Sequence, residues 1–242
     1  LMMAAWKLGP ALAAGNTVVI KPSEQTPLTT LKVAEYINEI FPEGVVNVVY
    51  GQGETVGSSL VTHDDVSMIS LTGDVATGTE ILKAASRGIK RTHLELGGKA
   101  PVIVFNDANI ADVVEGIRAF GYYNSGQDCT AACRIYANKK VYDNLVADLT
   151  SAVSSIVYNN EDDSKNEIGP LITQDHRNRV SNFVENAKSL KHIEVTTGGG
   201  VLDGPGNFFQ PTVIAGASQE DEITQKEVFG PVVSVTPFNE ID

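Results

Sequence analysis

A chain of 242 residues, 42% of them hydrophobic, is long enough to bury one large core or two smaller ones. Its formal net charge of −12, from 30 acidic and 18 basic residues, argues against nucleic acid as partner, because phosphate-backbone binding rests on clustered Lys and Arg. No run approaches the roughly 18 to 20 apolar residues that span a bilayer, and the opening LMMAAWKLGPALAAGN lacks the basic start and apolar core of a signal peptide. The expectation is a cytoplasmic protein with neither nucleic acid nor membrane as partner. The chain opens on Leu1 and closes on FNEID, which reads as an internal fragment of something longer.

Short β-branched runs alternate with helical stretches. Residues 16–22 (NTVVIKP) read as a buried strand stopped by Pro22. Residues 27–40 read as an amphipathic helix started by Thr26 and Pro27, with Leu28, Leu31, Ala34, Ile37 and Ile40 on one side. A strand is expected over 45–51, a short helix over 53–62, a strand over 66–73, a helix over 74–86 and a strand over 90–96. Strands joined by crossover helices imply a parallel sheet with right-handed connections. After Gly97, Gly98 and Lys99 the pattern restarts, with a strand over 100–105, a helix over 109–124 and a strand over 134–141. A helix over 142–156 carries a stripe of Tyr142, Leu145, Leu149 and Val153. The polar stretch 158–167 is a loop and 172–190 a helix. Glycines in 196–207 mark turns before strands over 208–214 and 231–238. The expected fold class is α/β, in two domains, 1–96 and 97–242.

Both cysteines, Cys129 and Cys133, lie in GYYNSGQDCTAACR (121–134). Four apart on a helix they would point the same way, which suits a disulfide poorly. Zinc needs two further ligands, and His63, His93, His176 and His192 are scattered, so no metal is expected. Cys129 is then a buried structural thiol or a nucleophile. A glycine-containing turn near a helix N-terminus is where a thiolate is stabilised and exposed. Cys133, one helical turn on among alanines, reads as the structural one.

Other residues pose similar choices. In IKPSEQTP (20–27), Lys21 and Glu24 follow the first strand, and ligands of open α/β sheets sit at the carboxyl ends of strands. Lys21 can donate to ribose hydroxyls, and Glu24 can accept from an adenosine 2′-OH while repelling a 2′-phosphate; an ordinary strand-end loop carries the same charges. LTGDVATG (71–78) is a strand, glycine turn and helix start, a place for a pyrophosphate. It is not GxGxxG, however, and Asp74 would repel a phosphate or simply cap the helix. Glu95 is the acidic residue of LELGGK (94–99), at the end of an apolar strand. A carboxylate there is costly unless solvated, paired or protonated, so it has either a chemical role or a capping or hinge role.

Taken in order and spacing, KPSEQTP (21–27), LTG and ATG within 71–78, LELGGK, GQDC (126–129) and KEVFGP (226–231) resemble the aldehyde dehydrogenase superfamily over essentially the whole chain. The wording of 121–134 is closest to its γ-aminobutyraldehyde, or aminoaldehyde, branch. The resemblance implies a Rossmann-like parallel-sheet NAD-binding domain, of which 1–96 is the C-terminal part, followed by an α/β catalytic domain over 97–242, with the fold incomplete at both ends. It implies Cys129 as catalytic nucleophile and Glu95 as general base. It implies NAD as cofactor, held by Lys21, Pro22, Ser23, Glu24, Gly53, Gly57, Thr72, Gly73, Asp74, Leu96, Glu227 and Phe229. Asp74 departs from the family's usual Ser.

The resemblance also implies a small-molecule aldehyde substrate, oxidised through a cysteine thiohemiacetal and thioester. An ω-aminoaldehyde such as 4-aminobutanal is expected, with Asp128 and Tyr122 as substrate contacts; betaine aldehyde or a semialdehyde is the alternative. Transfer of the acyl group to CoA is the rival chemistry, against which the intact LELGGK speaks. A catalytically incompetent fragment with partial cofactor binding is the rival of another class. The full-length protein is expected to be a homo-oligomer, a dimer or tetramer.

Overall fold

Residues 1–239 are described by the structure, a computed structural model. The backbone divides after Gly97 into two units, Leu1–Gly97 and a second beginning at Gly98. Among the described residues, no helix is long and apolar enough to cross a membrane.

The first unit opens on a helix that the sequence reading does not anticipate, α1 (Met2–Ala13), in which Pro10 lies inside the helix and has no N–H to donate to the carbonyl of Trp6. Then come β1 (Val18–Ile20), α2 (Leu28–Ile40) and β2 (Val46–Val48). A wide helical turn, Gly53–Gly57, runs into α3 (Ser58–Thr62), followed by β3 (Met68–Gly73), α4 (Val75–Gly88) and β4 (Arg91–Leu96). The four strands form two separate parallel pairs, β1 with β2 and β3 with β4, rather than the single sheet expected. The runs bracketed by Pro22 and Gly51 leave only three residues of each strand for the first ladder. The apolar stripe of α2 is only partly covered: Ala34 and Ile37 are half-buried, but Leu28 and Ile40 are 75% and 74% exposed, while Thr30 is buried. On α4, by contrast, Gly78, Ile81 and Ala85 form the buried face. A Cβ at Gly78 would lie 2.7 Å from a Leu96 methyl, which would have to shift to admit it.

The second unit is built on a five-stranded sheet. Its elements are β5 (Pro101–Val104), α5 (Ile110–Gly121), β6 (Arg134–Asn138), α6 (Lys139–Ser154), α7 (Gln174–Lys188), β7 (Glu194–Thr197), β8 (Thr212–Ala215), α8 (Glu222–Gln225) and β9 (Val232–Phe238). The strand order is β5-β6-β9-β8-β7, parallel throughout except for β7, which runs antiparallel to β8 at the edge. Neither β7 nor α8 is anticipated by the sequence reading. The strand expected over 134–141 stops at Asn138, whose side chain accepts from Lys140 N at 3.0 Å and starts α6 early. Pro211, which has no N–H to give a ladder, precedes the delayed start of β8.

Both faces of this sheet are covered, as a parallel sheet requires. Leu145, Leu149 and Val153 of α6 pack with Ile117, Ile135, Val213, Val233 and Val235 on one face. Val180 and Val184 of α7 pack with Ile214, Ile223, Val228 and Val232 on the other. Alternation along β8 sends Val213 to one core and Ile214 to the other.

Candidate active site

Cys129 is exposed, and it sits on a turn with no helix after it. This corrects the expected helix N-terminus, and with it the placement of Cys133 one helical turn on. The cause is Asp128, whose Oδ1 accepts from Thr130 N and from Thr130 Oγ1, each at 2.7 Å. Ala132 N then donates to Phe120 O, and the chain enters β6 directly after the half-buried Cys133. Asp128 thus engages Oδ1 in its own turn, while its carboxylate charge stays beside Cys129.

The backbone before the thiol is held on several sides. Gly126 has φ +70°, and a Cβ there would lie 2.0 Å from Gly230 O, so only glycine fits. Gln127 Oε1 accepts from Ile172 N at 2.9 Å, and Ser125 Oγ donates to Gly169 O at 2.5 Å. Tyr122 is 1% exposed and its hydroxyl donates to Thr212 O at 2.8 Å. Burial pushes its phenol well above the ordinary value. Tyr122 is a core residue, not the substrate contact expected.

The loop carrying Glu227 and Phe229 lies in the same unit. Glu227 Oε1 accepts from Gly98 N at 3.1 Å. Phe229 has φ +57°, a conformation that costs a non-glycine residue about 1–2 kcal/mol. Two residues missed in the sequence reading hold this loop: Arg179 donates to Glu227 O and Val228 O at 2.7 and 2.6 Å, and His176 Nε2 meets Phe229 O at 2.6 Å. Their three-residue spacing on one helix was visible in the sequence, but a partner made of backbone carbonyls leaves no pattern. Lys99 was also missed. It is 9% exposed, and its Nζ has no hydrogen-bond partner among the described residues. Burial lowers its pKa, opposed first by Cys133; Arg134 lowers it further, while Glu227 opposes.

In the first unit the expected residues gather at the carboxyl ends of strands. Lys21, Pro22, Ser23 and Glu24 follow β1, and Gly53 and Gly57 bound the wide turn after β2. The three ammonium protons of Lys21 reach Pro22 O at 2.8 Å, Gly51 O at 3.1 Å and Glu24 Oε2 at 3.4 Å. A hydrogen bond from its own backbone N–H is the main cause holding the Glu24 carboxyl below its usual range; burial opposes, and Lys21 assists. Thr72 and Gly73 end β3 opposite Glu95 and Leu96 of β4. Asp74 caps α4, with one oxygen accepting from Thr77 N at 2.7 Å and the other from Thr77 Oγ1 at 3.1 Å. Its carboxylate is thus committed to the helix rather than free for a cofactor.

Glu95 is solvated rather than sealed in an apolar strand, with 65% of its side chain exposed. His93 Nε2 lies 3.4 Å from Glu95 Oε1, and His93 Nδ1 lies 3.1 Å from Ser70 Oγ across the strand pair. The charge of Glu95 also raises the pKa of Lys7 on α1, although burial, the larger effect, lowers it. Among the described residues, no three His, Cys, Asp or Glu side chains gather as a metal cluster would.

Polar and charged groups at strand ends in one α/β unit, and an exposed thiol on a fixed turn in the other, define a thiol-bearing α/β protein. The sequence model described as the aldehyde dehydrogenase family matches residues 1–242, and the chain belongs to that family. Betaine aldehyde dehydrogenase from Bacillus subtilis (strain 168) is 41% identical over 99% of this chain and 50% of its own length. A mitochondrial aldehyde dehydrogenase from Leishmania tarentolae is 39% identical over 100% of this chain and 49% of its own. The crystal structure of betaine aldehyde dehydrogenase from Staphylococcus aureus in complex with NAD+ superimposes with a TM-score of 0.94 at 39% identity, covering 98% of this chain and 48% of that one. The chain thus spans about half the length of the curated relatives it matches.

Proposed function

We propose that the protein containing this chain oxidises an aldehyde to a carboxylate with NAD, using Cys129 as nucleophile. The observation that carries the reading is the exposed Cys129 thiol on a turn that Gly126 fixes against Gly230, the residue following Phe229. The Cys129 thiolate adds to the carbonyl carbon, giving a thiohemiacetal, and the Cys129 backbone N–H is a donor for the oxyanion. NAD, when bound, supplies the hydride acceptor. The acyl group is left on Cys129 as a thioester, and Glu95 takes the proton of the water that hydrolyses it.

The residues of the first unit fit the adenosine end of NAD. Lys21 spends its three protons on the turn and on Glu24, so it orients Glu24, and Glu24 is the acceptor for a ribose 2′-OH. A carboxylate there opposes the 2′-phosphate of NADP. Gly53 and Gly57 leave backbone open to close approach, with no atom nearer than 3.8 Å to a Cβ at either. The committed carboxylate of Asp74 does not fit a pyrophosphate.

The substrate belongs to the aldehydes that carry a positively charged nitrogen. The wording of residues 121–134 supports 4-aminobutanal. The names of the Bacillus subtilis and Staphylococcus aureus relatives support betaine aldehyde. A cytoplasmic homo-oligomer completes the reading on the family resemblance. The test is kcat/KM of the whole protein for 4-aminobutanal, betaine aldehyde and acetaldehyde, with NAD and then NADP. A charged substrate is expected to exceed acetaldehyde at least tenfold with NAD. Equal values for all three would overturn the substrate reading, and activity retained by Cys129→Ala would overturn the reaction.

A further inference from the structure

Three consecutive carbonyls, those of Glu227, Val228 and Phe229, all accept hydrogen bonds from two side chains of one helix. Arg179 takes the first two at 2.7 and 2.6 Å, and His176 takes the third at 2.6 Å. Loop carbonyls commonly bond to nearby backbone or to water, so a dedicated side-chain fork is an added constraint. We propose that α7 is a clamp that sets the backbone of residues 227–229, with Arg179 and His176 as positioning residues for Glu227, Phe229 and, through Gly230, the thiol turn. What the loop serves rests on the proposed function; that α7 holds it does not.

The local geometry explains why a clamp is needed. Phe229 stands at φ +57°, which a side chain adopts only when its surroundings fix it. His176 stacks edge-on to the Phe229 ring, with centroids 6.0 Å apart, while its Nε2 hydrogen bond holds the carbonyl of the same residue. That bond requires the proton on Nε2; burial favours the neutral ring and Arg179 assists, while the bond to Phe229 O itself opposes. Arg179 itself lies over the Phe183 ring at 5.0 Å, which orients its fork. Downstream, Gly230 O closes against Gly126, three residues before Cys129. Sideways, the Glu227 carboxylate receives Gly98 N. A shift of the loop therefore moves the nucleotide-side residues and the thiol turn together.

Hydrogen exchange on the 242-residue chain tests the clamp without any cofactor. The reporters are the amides of Gly98, which donates to Glu227 Oε1, and Val232, which donates to Gly230 O. Arg179→Ala and His176→Leu are expected to speed exchange at both by about tenfold or more, the equivalent of about 1.4 kcal/mol of local opening. Lys140, whose amide donates to the Asn138 side chain that caps α6, should be unchanged. Arg179→Lys, which keeps the charge but not the fork, should fall between, and His176→Gln, which keeps a donor, should recover most of the protection. Exchange within twofold of the parent in both Arg179→Ala and Arg179→Lys would overturn the clamp, and the milder variant decides the matter if the other does not fold. In the whole protein, Arg179→Ala should raise the Kd for NAD about tenfold, because the freed loop must be reordered on binding. Failure of the parent protein to bind NAD would sink the functional reading, while the exchange result still decides the clamp.

Discussion

Replacing Gly126 with alanine would put a methyl carbon 2.0 Å from Gly230 O, 2.4 Å from Gly230 C and 2.9 Å from Pro231 N. Close carbon–oxygen contacts in proteins fall at about 3.3 Å or more, so one of the two backbones must retreat by roughly 1 Å. Two costs add. A side chain at φ +70° costs about 1–2 kcal/mol, and forcing an extra methyl into a packed region costs about 1–3 kcal/mol. The expected loss is about 2–5 kcal/mol, a large share of a stability that is commonly about 5–15 kcal/mol. The assay is urea-dependent hydrogen exchange of the β6 and β9 amides, with the iodoacetamide labelling rate of Cys129 measured in parallel. Gly116→Ala is the control, because Gly116 lies on α5 with nothing within 4 Å of its Cβ position; it should gain about 0.5–1 kcal/mol. A Gly126→Ala chain as stable as the parent, with unchanged Cys129 labelling, would refute the idea that this glycine fixes the thiol turn.

Three further changes separate binding roles from structural ones. Tyr122→Phe removes the hydroxyl that donates to the Thr212 carbonyl, which keeps its place in the sheet, and should cost about 0.5–1.5 kcal/mol in chemical denaturation; a raised KM for aldehyde in the whole protein would instead make Tyr122 a substrate contact. Asp74→Ser keeps a good N-cap, so stability should move by less than about 0.5 kcal/mol, while NAD binding to the whole protein should tighten; weaker binding would mean that Asp74 contributes to the cofactor site. Lys99 has a folded-state pKa below its unfolded value, so the unfolded chain binds more protons in the window between the two, and stability rises with pH through that window. Lys99→Met should remove this slope and be the more stable chain near neutral pH, with the gap closing as pH rises towards the unfolded pKa of lysine. A gap independent of pH, measured by urea unfolding at several pH values, would show that the ammonium is not what destabilises the site.

What the sequence made legible was set by local periodicity. The stripe of Leu145, Leu149 and Val153 on α6 is buried as its spacing implied, at 0%, 0% and 1% exposure. The equally regular stripe on α2 is not, because spacing says which residues share a face and nothing about what covers them. Cys129 stood out through its motif, but the run of small residues after it suggested a helix. The chain turns into β6 instead, because the Asp128 side chain captures the donors of Thr130. Arg179 and His176 stayed invisible because they act on carbonyls 48 to 53 residues further along. A carbonyl looks the same under every side chain.

The central claim is that the acyl group passes through Cys129, and trapping it there is the most direct test. In the whole protein carrying Glu95→Gln, loss of the proposed base should slow thioester hydrolysis more than thioester formation. Mixing that variant with NAD and 4-aminobutanal or betaine aldehyde, quenching in acid and mapping peptides by mass spectrometry should find the acyl mass on the peptide at Cys129, with Cys133 unmodified and a burst of NADH before slow turnover. An acyl group on Cys133, or turnover with no acyl intermediate at Cys129 and no burst, would contradict the account.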